Sequence, residues 1–145
     1  MGMRIPVLNF YLNSSLMKRS TFLLIAALVL LAYGLAMIFA PGLLLDNILM
    51  AQAPSQSHTV ARWLGFGVLS LGIINFLARN DRDSHSLKAI LIGNLVFHLL
   101  GLFFDTNDYF NGVVSLSGLI SGLVPHALLI MGFVYYLLKW PKAKL

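Results

Sequence analysis

Cysteine and glutamate are both missing from this chain of 145 residues, and charge of either sign is scarce. Without cysteine there is no disulfide, no thiolate metal ligand and no cysteine nucleophile, whichever compartment the loops face. Without glutamate the acidic inventory reduces to Asp46, Asp81, Asp83, Asp105 and Asp108, all outside the long apolar runs. No carboxylate is therefore expected inside a membrane, which counts against a proton-coupled transporter. Charged residues make up 10% of the chain, against roughly a quarter in a soluble domain. There is no serine nucleophile with its base and acid, no glycine-rich phosphate loop and no carboxylate–histidine metal cluster.

In their place is apolar surface: 59% of the residues are hydrophobic, so lipid is the solvent for most of the chain, which reads as one membrane domain over residues 1–145. A hydrocarbon core about 30 Å thick needs roughly 20 apolar residues in helical form. Four stretches reach that length, at about 21–40, 60–78, 87–104 and 119–138. None alternates as a membrane β-strand does, and helices satisfy their own backbone groups where lipid offers no partner. The expected fold class is an all-α integral membrane protein, an antiparallel four-helix transmembrane bundle with short connections.

The connections alternate in charge. Arg4, Lys18 and Arg19 precede the first span, Arg79, Arg82 and Lys88 surround the second connection, and Lys139, Lys142 and Lys144 follow the last span. The first and third connections, 41–59 and 105–118, hold no lysine or arginine. Basic loops face the cytoplasm, so both termini are expected there. The net charge of +5 is thus a topology signal and a contact to anionic lipid, with no nucleic acid implied.

Basic residues before an apolar run resemble a signal peptide, but the run is longer than a signal core and Ala40 precedes Pro41, so an uncleaved anchor is expected. Met17-Lys18-Arg19-Ser20 has the form of a bacterial start directly before a span. Residues 1–16 then read as a short extension within a cytoplasmic or interfacial segment, 1–19, where Ile5, Leu8, Leu12 and Leu16 share one helical face. On the outer side Pro41-Gly42 ends the first helix, and 43–50 suits a short helix lying in the interface. Asp105-Thr106-Asn107-Asp108 reads as a turn, and Gly112 to Leu116 as a re-entrant or interfacial piece.

Polar side chains within lipid are costly and mark candidate sites. Asn75 and Asn94 form an inner level, and His98 and His126 an outer one. Counted along their helices, both histidines lie about 10 Å below the outer interface. As a pair they suit the axial positions of a b-type haem. They serve a divalent metal poorly, since no carboxylate completes the set. They also suit a pocket for a small hydrophobic ligand such as a lipid or quinone, or a plain interhelical hydrogen bond that fixes register. Asn94, His98 and Gly101 share one face of the third span. Gly118, Gly122 and His126 repeat every four residues in the fourth, a small-residue stripe that admits a close neighbour, and Ala61, Gly65 and Gly72 give the second span its own stripe. Pro125 kinks the last span and frees the carbonyl of Ser121 for another partner. Arg62, beside Trp63, is expected to pair with Asp46, Asp105 or Asp108 at an outer mouth.

The segments Ala61-Arg62-Trp63-Leu64-Gly65 and Leu71-Gly72-Ile73-Ile74-Asn75-Phe76-Leu77-Ala78-Arg79 resemble a pattern of small four-helix bacterial inner-membrane proteins that have no assigned activity. Gly93-Asn94-Leu95-Val96-Phe97-His98, Pro125-His126-Ala127, Gly132-Phe133 and Pro41 belong to the same resemblance, which covers residues 20–138. It implies four spans and a bacterial inner membrane, and no catalytic residues. The expected function is a non-enzymatic accessory or structural component, packing through its small-residue stripes against a larger membrane complex or itself. The alternatives are a haem or small-ligand protein using His98 and His126 and, last, a membrane-embedded enzyme.

Overall fold

The computed structural model describes residues 17–50, 54 and 56–141; the interfacial helix expected over Ile5 to Leu16 lies outside the described residues. The described chain is all-α, with four helices long and apolar enough to cross a membrane: α1 (Arg19–Phe39), α3 (Ser57–Ala78), α4 (His85–Phe110) and α5 (Leu116–Leu138). Between the first two lies one α-turn, α2 (Pro41–Leu44), continued as a π-turn over Leu45–Leu49. Proline forces the break at the end of α1. The residue before a proline is driven out of the helical region, and Ala40 sits at φ −135°, ψ 51°, while Pro41 opens the next turn. Serine side chains set two helix starts. Ser84 accepts from the amide of Leu87 at 3.1 Å, and Ser115 from that of Gly118 at 3.0 Å, each closing an otherwise unpaired donor.

The third span differs from its expected end. Asp105 to Asp108 is not a turn: α4 continues through it to Phe110. The threonine hydroxyl of this stretch donates back to Leu102 O at 2.7 Å, and Asp105 is held against α5. With 26 residues the helix is about 39 Å long and overreaches the hydrocarbon by about two turns. The reversal comes at Asn111–Val114, where Gly112 has φ +73°, a left-handed conformation that glycine adopts freely. The segment read as re-entrant is this tight turn. It carries an isolated antiparallel bridge between Met50 and Val114.

The long helices associate as two couples, α1 with α3 and α4 with α5, and the couples touch each other far less extensively. Small residues set the closeness within the first couple. A Cβ on Gly34 would stand 2.7 Å from the backbone of Leu69; one on Gly72 would meet Leu31 at 3.0 Å, and one on Gly65 would meet Met37 at 2.9 Å. The stripe Ala61, Gly65, Gly72 is therefore filled by α1 of the same chain. Large side chains join the couples: Phe22, Leu23 and Ala26 from α1, Ala78 from α3, Leu87 and Leu91 from α4, and Leu129 and Phe133 from α5 form one core. Phe22 and Phe133 meet edge to face at 4.8 Å. Near this end Arg19 pairs with Asp83 and donates to Asp81 O at 2.9 Å, tying the start of α1 to the α3–α4 turn. Tyr136 closes the same end by donating to Met17 O.

Candidate functional site

The buried Asn75, Asn94 and His98, with the half-buried His126, form two interhelical contacts. Asn75 on α3 and Asn94 on α4 exchange reciprocal amide hydrogen bonds of 2.8 and 2.9 Å, and Asn94 also donates to Ile90 O. Every one of these bonds removes a polar group that lipid would leave unpaired. The pair is complete in itself and joins the two couples.

The outer level is different. His98 on α4 and His126 on α5 share a hydrogen bond between their Nδ1 atoms at 2.8 Å. Nε2 of His126 lies 3.6 Å from Oδ2 of Asp105, too long for a hydrogen bond yet close enough for strong electrostatic coupling where water is scarce. A carboxylate and two imidazoles thus form a chain running from near the C-terminal end of α4 towards the core. Asp105 keeps a third of its side chain exposed, whereas His98 is 2% exposed. At the inner end of the chain, Nε2 of His98 is buried and has no hydrogen-bond partner among the described residues. The imidazole of His98 stacks on Phe133 at 5.8 Å and 18°, against the core that all four helices share.

Glycine makes room for this chain. A Cβ on Gly101 would stand 2.5 Å from Nε2 of His126, and one on Gly122 would strike the Asp105 carboxylate. Gly118 is likewise filled from within, because a Cβ there would run into the backbone of Leu49. Ser115 and Ser117 hold that π-turn by donating to Ile48 O at 2.6 and 3.0 Å. The stripe Gly118–Gly122 serves contacts inside the chain. It is not free to receive another helix.

Pro125 leaves the Ser121 carbonyl without its helical amide, and Tyr33 of α1 supplies the replacement through its hydroxyl at 3.3 Å. The expected second partner for Ser121 thus comes from the other helix couple. The outer mouth is arranged otherwise than expected. Arg62 is exposed and makes no ion pair among the described residues. Asp46 instead meets His58 Nε2 at 3.0 Å, Asp105 faces His126, and Asp108 accepts from Asn107 at 3.3 Å. The arginine lost these partners because one helical turn of α3 precedes it: α3 starts at Ser57, which brings His58 within reach of Asp46.

The haem expected between the two imidazoles has to be weighed against their direct hydrogen bond. The Nδ1 atoms stand 2.8 Å apart, closer than the about 4 Å between two nitrogens on opposite sides of one metal ion, so axial ligation through these two atoms would require their contact to open. Among the described residues no group of three or more histidines and carboxylates is arranged to hold a metal ion. A shallow apolar groove of about 450 Å³ runs along Leu99, Leu102, Phe103, Thr106, Asn107 and Phe110, a different face of α4 from the one carrying Asn94, His98 and Asp105. The sequence placed Asp105 at the outer mouth as a partner for Arg62, not beside His126, and it gave Tyr33 no role. The signal for Asp105 was present, because it continues the Asn94, His98, Gly101 face by four residues. For Tyr33 nothing in the sequence pointed to the contact. No family model, curated protein or solved structure matches the chain, so what the site does has to be read from its own residues.

Proposed function

We propose that this chain is a four-span antiparallel bundle of a bacterial inner membrane, with both termini cytoplasmic, and that it binds a lipid-soluble molecule with a small polar head at His98. The reading rests above all on the unpartnered Nε2 of His98. A network that only fixes helix register satisfies its members, as Asn75 and Asn94 do, and a buried polar atom left over marks a place where something else bonds. The neighbourhood suits an amphiphile: Phe97 and Phe133 flank the imidazole, and the two helix couples touch each other less extensively than the helices within either couple. The test is native mass spectrometry of protein extracted gently from its host membrane. Wild-type chain should carry added mass in the lipid or quinone range, and a folded His98→Phe variant should not. A wild-type chain that flies bare would sink the reading.

The accessory-subunit reading keeps one observation in its favour. Gly67 on α3 and Gly93 on α4 have open space where a Cβ would be, so nothing inside the chain accounts for a residue that weakens a helix by roughly 0.5–1 kcal/mol. Outward contacts with a partner helix would account for both. Gly67→Leu and Gly93→Leu should then lower the apparent mass of the complex in mild detergent. A mass unchanged by both would remove the accessory role.

A further inference from the structure

Building on that ligand site, we propose that it selects a hydroxyl-bearing ligand over a carbonyl-bearing one, because Asp105 decides which nitrogen of His98 is left without a proton. A carboxylate 3.6 Å from Nε2 of His126 favours a proton on that nitrogen, since a lone pair there would face negative charge. A neutral imidazole has only one N–H, so Nδ1 of His126 carries a lone pair. The 2.8 Å contact between the two Nδ1 atoms needs one proton, which His98 must then supply. With its single proton on Nδ1, neutral His98 presents Nε2 as a bare acceptor. Among the described residues nothing hydrogen-bonds this nitrogen, and its ring neighbours are aromatic. Nothing competes with the tautomer that Asp105 imposes.

A buried acceptor bonds an O–H or N–H and repels a carbonyl oxygen. An alcohol, a phenol or the reduced form of a quinone therefore fits, and a ketone, an ether or an oxidised quinone does not. A carboxylate fixing the tautomer of a neighbouring imidazole is the same device that orients a hydrolase histidine, here carried one imidazole further into the membrane. Asp105 is a positioning residue and touches no ligand itself.

The experiment uses full-length protein in lipid nanodiscs, in mildly alkaline buffer, with nitrogen-15 histidine resonances assigned by loss in His98→Gln. The chain has four histidines, so the spectrum is sparse. Ligand-free wild type should show His98 protonated at Nδ1 and bare at Nε2. Para-hexylphenol should shift the Nε2 resonance and bind about tenfold tighter than para-hexylanisole or hexyl phenyl ketone, the worth of one hydrogen bond. Asp105→Asn should erase that preference, because a carboxamide can present either a donor or an acceptor to His126. A proton on Nε2 of His98 in ligand-free wild type overturns the tautomer argument and leaves the ligand site standing. Equal or reversed affinity for the ketone overturns the hydroxyl assignment. If none of the three probes moves any His98 resonance, the ligand site itself falls, and the hydroxyl class with it.

Discussion

Gly101 and His126 occupy each other's space: a methyl group on the glycine would stand 2.5 Å from Nε2 of the imidazole. The same relation holds between Gly122 and Asp105 across the α4–α5 contact. Each helix therefore carries a glycine that admits a polar side chain of the other: Gly101 of α4 admits His126, and Gly122 of α5 admits Asp105. This reciprocity is what lets a carboxylate and two imidazoles fit between the two helices.

Gly101→Ala should destabilise the protein by about 1–3 kcal/mol, the usual cost of overpacking a filled contact. Gly93→Ala, on the same helix but with open space at the Cβ position, should be neutral or stabilising by up to about 1 kcal/mol. Unfolding of both variants in mixed micelles gives the comparison. Equal effects from the two changes would remove the steric role assigned to Gly101.

The Asn75–Asn94 pair should behave as a unit. Asn94→Leu alone strands the amide of Asn75 in an apolar interior, at a cost of about 1–3 kcal/mol. Replacing both by leucine should cost less than the two single changes added together. A double-mutant cycle measures the difference, and strict additivity would mean that the reciprocal bonds do not hold in the membrane.

Tyr33→Phe should cost less than about 1 kcal/mol, in keeping with single interhelical hydrogen bonds in membranes. In a Pro125→Ala background the helix regains the amide that serves Ser121, so the same Tyr33→Phe change should then be silent. A cost that is the same in both backgrounds would show that the tyrosine hydroxyl does not stand in for the missing amide.

The absence of cysteine provides a clean background for testing the proposed orientation. Single substitutions Asp81→Cys and Lys142→Cys should react with an impermeant thiol reagent only from the cytoplasmic side. Gln56→Cys and Asn111→Cys should react only from the opposite side. Labelling of Asp81→Cys from outside would reverse the orientation read from the basic loops.

The four long helices were legible because their signal is one of solvent. A run of about 20 apolar residues can be housed only in lipid, and lipid leaves the backbone little choice but a helix. Helix ends were legible where the backbone itself enforces them, as at Ala40 before Pro41. They were misread where polarity was taken for a turn. Asp105 faces His126 and stays a third exposed, and α4 runs on beneath it. Glycines were legible as close-packing residues, but not what they pack against. Gly65 and Gly72 turned out to face α1, Gly118 the π-turn, and Gly122 a carboxylate, so the stripes that suggested an external partner are spent within the chain.

By itself, then, the sequence determined the class of fold, the number of apolar helices and where along them the polar residues stand, since each depends on local composition and on distance counted along a helix. Only the tertiary structure decided that His98 and His126 touch through Nδ1, that Asp105 joins them, that Asp46 turns to His58 and not to Arg62, and that Nε2 of His98 is left over. Those outcomes depend on the rotation of each helix about its axis and on which helices pair. Both are fixed by side-chain packing between segments far apart in the chain, where spacing within a single segment carries no information.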